Sequence, residues 1–184
     1  MSDIEAYDCA TQVGRLVHIR TARPSDAPAI HAITAEAIAE SAYHISEPQE
    51  FTLTTEEVEA WICQHANHPA QVMLVAEVDG EVVGIIHFEP GARKRQAHVG
   101  ELAMNVATAQ REQGVGRSLL EALIAWAERH PQIEGVGLRA LSINSRALHL
   151  YAAMGFVEEG RRVQAIKLGP GKYADEVIMA RPVK

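Results

Sequence analysis

Apolar residues recur along this chain with two different periods. Between residues 71 and 90, QVMLVAEV and EVVGIIHFEP read as two strands that meet at Asp79-Gly80. That dipeptide favours a tight hairpin turn, because both residues tolerate positive φ. From residue 115 the period becomes helical. Val115, Leu119, Ala122, Leu123 and Trp126 fall on one stripe, Leu120 and Ile124 widen it, and Arg117, Glu121 and Glu128 lie opposite. A helix with so wide an apolar stripe is expected to be well buried.

The same reading places the other elements. LVHIRTA is a first strand. RPSDAPAIHAITAEAIAESA is a helix, with Asp26 as N-cap, Pro28 in the first turn and Ile30, Ile33 and Ala37 on its stripe. TTEEVEAWICQHA is a second helix. Thr54 and Glu57 are spaced as a capping box, and Val58, Trp61, Ile62 and His65 share a side. GARKRQ is a polar connection and AHVGELAMNVA a strand. IEGVGLRALSI is a strand, and NSRALHLYAAM is a helix with Gly155 past its end. GFVEEGRRVQAIKL and KYADEVIMARP are strands joined through Gly169-Pro170-Gly171. Residues 1–16 show no clear period and read as a flexible extension, leaving 17–184 as one domain. The order is β-α-α-β-β-β-α-β-α-β-β. Directly joined strands imply antiparallel pairs, and the strand-helix-strand run over 98–141 implies one parallel crossover. The fold class is a mixed α/β sheet, mostly antiparallel, flanked by helices.

Composition narrows the function. The chain has 184 residues, 47% hydrophobic and 22% charged, which suits one globular domain. A net charge of −7 argues against nucleic acid and against an anionic membrane surface as partners. The only basic run, ARKR at 92–95, is short enough to be a solvated turn. No apolar run is long enough to span a membrane, and the acidic start MSDIEAYD lacks the apolar core of a signal peptide. Two cysteines, Cys9 and Cys63, give no disulfide framework and fit a reducing cytoplasm.

Two glycines open the strongest helix, in REQGVG at 111–116. A helix start presents unpaired N–H groups and the positive end of a dipole, so an anion, most often a phosphate, is the natural guest. A nucleoside-triphosphate loop needs G-x-x-x-x-G-K-[ST], and GVGRS has neither the glycine spacing nor the lysine. A dinucleotide fold needs a third glycine where Leu119 stands. A helix that merely begins with glycines accounts for the pattern equally well. Further on, Asn144, Ala147 and Tyr151 share one face of their helix, with a polar start, a notch and a terminal phenol. Taken alone, that is also what an amphipathic helix with a half-buried tyrosine looks like.

Together the two segments resemble the GCN5-related N-acetyltransferase (GNAT) superfamily. The match is R-x-x-G-x-G at 111–116 and N-x-x-A-x-x-x-Y-x-x-x-G-F at 144–156, with a helix and a strand between them. The element order agrees over roughly 17–181. The tail GKYADEVIMAR is similar to a subgroup acting on small amines and amino acids, the phosphinothricin-acetyltransferase-like group. The resemblance implies acetyl-CoA as co-substrate. Its pyrophosphate would rest on Arg111, Glu112, Gln113, Gly114, Val115, Gly116 and Arg117. Its pantetheine arm would pair along Met104, Asn105 and Val106, with Asn144 bonding the arm and Tyr151 pointing at the thioester sulfur. The glycines would let the phosphates approach, and N–H groups near Val106 would steady the oxyanion. An amine attacks the thioester directly in a ternary complex.

Glu101 alternates onto one strand face with Ala103 and Asn105 and is the expected base, through water, or else a solvated carboxylate. Glu36, Glu40, Tyr43 and His44 are expected to wall the acceptor site, with His87 and His98 as further candidates. His65 and His68 are three apart, but no neighbouring carboxylate or cysteine completes a set, so no metal is expected. The resemblance further implies a small-molecule amine as acceptor and a homodimer through the last two strands. The alternatives are a protein N-terminus or lysine as acceptor, or a regulator that binds acyl-CoA without catalysis.

Overall fold

The computed structural model describes residues 3–40 and 42–184, with the side chain of Glu40 outside the description. Among these residues the strands are β1 (Tyr7–Ala10), β2 (Leu16–Thr21), β3 (Val72–Val78), β4 (Glu81–Pro90), β5 (Val99–Val106), β6 (Gly135–Leu141), β7 (Val157–Gly169) and β8 (Lys172–Pro182). The helices are α1 (Ala27–Glu40), α2 (Thr55–Asn67), α3 (Val115–Arg129) and α4 (Ser145–Ala153). The strands form one sheet in the order β1-β2-β3-β4-β5-β6-β8-β7. Every pair is antiparallel except β5–β6. The mixed, mostly antiparallel sheet matches the expected fold class.

Two apolar layers hold the helices on the sheet. On one face, Ala27, Ile30 and Ile33 of α1 and Val58 and Ile62 of α2 pack with Met73, Val75 and Ile85. On the other, Leu119, Leu120, Leu123 and Trp126 of α3 pack with Leu74, Ile86, Phe88 and Leu102, and Tyr151 of α4 joins this layer. The alternation along β3 and β4 divides their side chains between the two layers.

Local signals explain most of the element boundaries. Asp79 and Gly80 both take positive φ, 54° and 83°, as the β3–β4 hairpin requires. Thr54 and Glu57 close the capping box at α2, with bonds of 3.2 and 2.7 Å. Asp26 departs from expectation. It lies in a single 3₁₀ turn before α1 and reaches back to the Arg23 N–H at 2.7 Å. Its two oxygens also hold the Arg20 guanidinium at 2.7 and 2.9 Å. Arg20 is buried, and Glu77 of β3 accepts from it as well, so this ionic cluster ties β2, β3 and the start of α1 together.

Burial alone pushes the Asp26 carboxyl upward, but the bonds from Arg20 and the Arg23 N–H outweigh it and hold it below its ordinary value. A depressed carboxylate stabilises the fold above its unfolded pKa, and that contribution is lost as pH falls through the folded one. Asp26→Asn is therefore expected to cost roughly 1.5–3 kcal/mol at neutral pH. The cost shrinks in acid, below the ordinary carboxylate range. Urea denaturation of both proteins at several pH values measures it; a pH-independent difference would contradict the ionic account.

Residues 1–16, expected to be a loose extension, contain β1. The physical reason is a tight β1–β2 turn. The Thr11 N–H donates to the Arg15 carbonyl at 2.8 Å, and the Thr11 hydroxyl accepts from the Arg15 N–H at 3.1 Å. Tyr7–Ala10 then pair with Leu16–Ile19. The expected order lacked this eighth strand. Apolar residues are sparse in it, and its edge position asks for few.

Candidate functional site

The parallel pair at the centre of the sheet is short. β5 and β6 share three register pairs, Val99–Gly135, Gly100–Val136 and Glu101–Gly137. Beyond them β5 continues to Val106 on β4, while β6 continues to Leu141 on β8. The two strands therefore diverge, and among the described residues the β6-facing edge of residues 102–106 meets no strand. A peptide-like arm can add itself to such an edge. Met104, Asn105 and Val106 all lie on it.

The gap leads to the start of α3. Gly114 is its N-cap, with φ 89°. The Ser118 N–H closes onto the Gly114 carbonyl at 3.1 Å, so the N–H groups of Val115, Gly116 and Arg117 precede the first helical bond. Three arginines surround this turn. Arg117 lies 3.7 Å from Glu121, Arg146 of α4 lies 3.0 Å from Glu112, and Arg15 bonds Gln113. A chain of net charge −7 thus concentrates cations at the one helix start where an anion is expected.

The structure gives several loop residues tasks within the protein. A Cβ on Gly114 would lie 2.7 Å from Thr11 Cβ, and one on Gly116 would lie 3.3 Å from Met104 Cε. Gly114 makes room for the β1–β2 turn, and Gly116 for the close seat of α3 on β5. The Arg111 N–H is bonded to the Thr108 carbonyl at 3.2 Å, and its Nε donates to the Val106 carbonyl at 3.0 Å. Arg111 thus anchors the loop to the strand end. Glu112 takes φ 63° and its carboxylate faces Arg146. Gln113 spans the loop, its amide donating to the Ala109 carbonyl at 2.9 Å.

On α4, Asn144 is the N-cap, and its Oδ1 accepts from the Ala147 N–H at 3.2 Å. The side-chain NH₂ is then the group it offers to a ligand. Tyr151 is 8% exposed and packs on Phe156, with ring centroids 5.9 Å apart. Burial pushes its phenol up to about 12, so it stays protonated across the neutral range.

The α1–α2 face of the sheet carries the titratable groups. Cross-strand partners put Glu89 beside Glu101, His87 beside Ala103 and Ile85 beside Asn105. Glu101 is half-exposed and bonded by Arg139 of β6 at 2.9 Å. Arg139 also lies 3.9 Å from the buried Glu176, which Arg162 meets at 2.9 Å. His44 Nε2 lies 3.1 Å from Asn105 Oδ1, and burial lowers its pKa, so a neutral imidazole sits beside the open edge. Glu36 accepts from the Thr108 N–H at 3.3 Å, and Tyr43 is 44% exposed next to His44 in sequence. Glu40 lies outside the described side chains. His98 is exposed before β5, away from the gap. His87 is held down to about 4, first by burial and then by the neighbouring His65.

His65 does not pair with His68. The His68 Nδ1 instead accepts from the Ala70 N–H at 3.1 Å, just past the end of α2. His65 meets His87 and Glu89, which the fold brings from a different element. Arg139, Glu176, Arg146 and Glu89 were missed from sequence because each gains meaning only from a residue distant in the chain. The i, i+2 spacing of His87 and Glu89 on a strand was the one available signal.

A family model for the acetyltransferase (GNAT) family matches residues 36–156. The chain belongs to this family. As a GNAT N-acetyltransferase, it takes its acetyl group from acetyl-CoA. It is 32% identical over 174 residues to the phosphinothricin N-acetyltransferase of Alcaligenes faecalis, covering 90% of this chain and 82% of that one. It is 29% identical over 121 residues to the L-amino acid N-acetyltransferase of Escherichia coli (strain K12), covering 66% and 74%. A GNAT phosphinothricin acetyltransferase from Sinorhizobium meliloti, solved with acetyl-CoA, superposes with a TM-score of 0.79 at 17% identity, covering 99% and 89%. At that identity the likeness shows the fold the GNAT chains share. Among the described residues no helix of this GNAT chain is long and apolar enough to cross a membrane.

Proposed function

We propose that this GNAT chain transfers the acetyl group to the primary amine of a small molecule, an amino acid or a close analogue. The observation that carries this reading is the array Glu101–Arg139–Glu176 beside the opening between β5 and β6, half-exposed at Glu101 and Arg139 and buried at Glu176. An alternating acid–base wall next to the reacting edge suits an acceptor with both an ammonium and a carboxylate. The two curated relatives, named for amino-acid and phosphinothricin acetylation, support the same class. The test is thiol release from acetyl-CoA across amino acids, polyamines, aminoglycosides and peptide N-termini. Turnover confined to amino acids and their analogues is expected. Preference for peptides would overturn the acceptor class, and no turnover with any amine would favour a regulator that only binds acyl-CoA.

In this reading the pyrophosphate rests on the N–H groups of Val115 to Arg117, and the arm adds to Met104–Val106 as a strand. Main-chain N–H groups near Val106 then stabilise the developing oxyanion. Glu101 takes the amine proton through water, and Tyr151 faces the departing sulfur. Holding amine and thioester together supplies much of the acceleration.

The β1–β2 turn acts on the donor side. Arg15 bonds Gln113 and Thr11 fills the space against Gly114, so the turn braces the phosphate loop. Arg15→Ala is expected to weaken CoA binding roughly 3–10-fold, the loss of about one hydrogen bond, with the fold retained. Calorimetry with CoA measures it; unchanged affinity would leave the turn without a part in binding.

The homodimer belongs to this proposal as well. β7 closes the sheet as an edge strand and exposes Val157 and Val163, with Tyr173 exposed on β8. An exposed apolar edge is normally covered or paired. Light scattering at micromolar concentration is expected to give twice the monomer mass, and Val163→Lys is expected to shift it toward monomer.

A further inference from the structure

We propose that His65, His87 and Glu89 form a binding site for a divalent transition-metal ion of the zinc class. The three residues come from two elements. His65 is in the last turn of α2, and His87 and Glu89 share one face of β4. One ligand atom from each lies within 4.8 Å of the others.

A hydrogen bond fixes which atom of His65 faces inward. His65 Nδ1 lies 3.0 Å from the Trp61 carbonyl oxygen. A carbonyl only accepts, so Nδ1 carries the proton and Nε2 of the neutral ring presents a lone pair. The His65 side chain is 2% exposed, and its Nε2 makes no hydrogen bond although Glu89 Oε1 is 3.4 Å away. His87 Nδ1 is also buried without a partner, 3.9 Å from the same oxygen. Trp61 Nε1 donates to that oxygen at 3.3 Å. The His65 lone pair, the unpartnered His87 nitrogen and a carboxylate oxygen therefore converge. Unpartnered buried ring nitrogens are costly, and a cation held between them and Glu89 satisfies both.

The donor set selects the metal. Two nitrogens and one carboxylate suit zinc-like ions, whereas calcium and magnesium demand oxygen. Zinc bonds of about 2.0–2.2 Å give a tetrahedral edge of roughly 3.4 Å. The His65–Glu89 distance already has this value, His87 must close on Glu89 by about half an ångström, and the His65–His87 edge lies within 4.8 Å. The Nδ1–H bond to the Trp61 carbonyl is the kind of outer contact that aims a histidine ligand. Trp61 also packs edge-on against both rings, at 5.1 and 4.6 Å between centroids. Three protein ligands leave a fourth position open, and Glu89 is half-exposed there. Because Glu89 is the cross-strand partner of Glu101, that position lies on the same sheet face as the proposed acceptor wall. The assignment does not depend on which amine is acetylated.

The full chain, dialysed against a chelator, is titrated with Zn²⁺ by calorimetry and with Co²⁺ by visible absorption. One equivalent is expected to bind at micromolar concentration or tighter, with the intense bands of four-coordinate cobalt. Zinc should also raise the melting temperature. Glu89→Gln and His87→Ala should each weaken binding at least tenfold while circular dichroism stays unchanged. His149→Ala, at an exposed histidine elsewhere, should leave binding intact. Three results would overturn the site: no stoichiometric binding, equal affinity in all three variants, or NMR showing a proton shared by His65 and Glu89 at neutral pH that zinc does not displace.

Discussion

Tyr151→Phe is expected to lower kcat by roughly 10–10³-fold and to leave KM for acetyl-CoA nearly unchanged. The phenylalanine keeps the ring against Phe156, so packing and cofactor seating persist, and only the O–H is lost. The phenol stands near 12 because it is buried, while a free thiol ionises near 8.5. Full transfer of the phenol proton to the thiolate is therefore uphill. In the proposed mechanism the hydroxyl is a hydrogen-bond donor to charge that develops on sulfur during departure, an interaction made mainly in the transition state. Steady-state kinetics from pH 6 to 9 is the check. A fall in CoA affinity with kcat intact would assign Tyr151 to packing, and full activity throughout would remove it from the mechanism.

Gly116→Val is expected to weaken CoA binding by about 10²-fold, or about 2.7 kcal/mol, the worth of one or two charge-assisted bonds. The structure adds a cause to the one the motif suggests. A side chain at 116 meets Met104 at 3.3 Å, so a valine is expected to lift the first turn of α3 off β5. The N–H groups of Val115 to Arg117 then lose their aim. Met104 is flexible and yields in part, which keeps the variant folded. Pairing the substitution with Met104→Ala should restore part of the affinity, and calorimetry measures both. If the double variant binds no better than the single one, crowding against Met104 is not the cause.

Most elements were readable from local chemistry. The Asp79-Gly80 turn, the Thr54–Glu57 box and the α3 stripe are each set by residues near in sequence, and the structure repeats them. β1 was not readable, since an edge strand of four residues needs little apolar pattern and depends on a turn closed by Thr11 and Arg15. Asp26 looked like a plain cap because its partner Arg20 sits in the preceding strand, and their meeting depends on how β2 turns into α1.

The same division runs through the site. The sequence by itself determined the loop 111–116, the spacing of Asn144, Ala147 and Tyr151, and the placing of Glu101 with Asn105 on one strand face, because helix and strand periods fix which neighbours point together. Only the tertiary structure decided what the glycines are pressed against, that β5 and β6 part after three residues, and that Glu101 meets Arg139. It alone brought His65 to His87 and Glu89. Those facts rest on the packing of helices against the sheet and on strand register, which join residues far apart in the chain and leave no periodic trace along it.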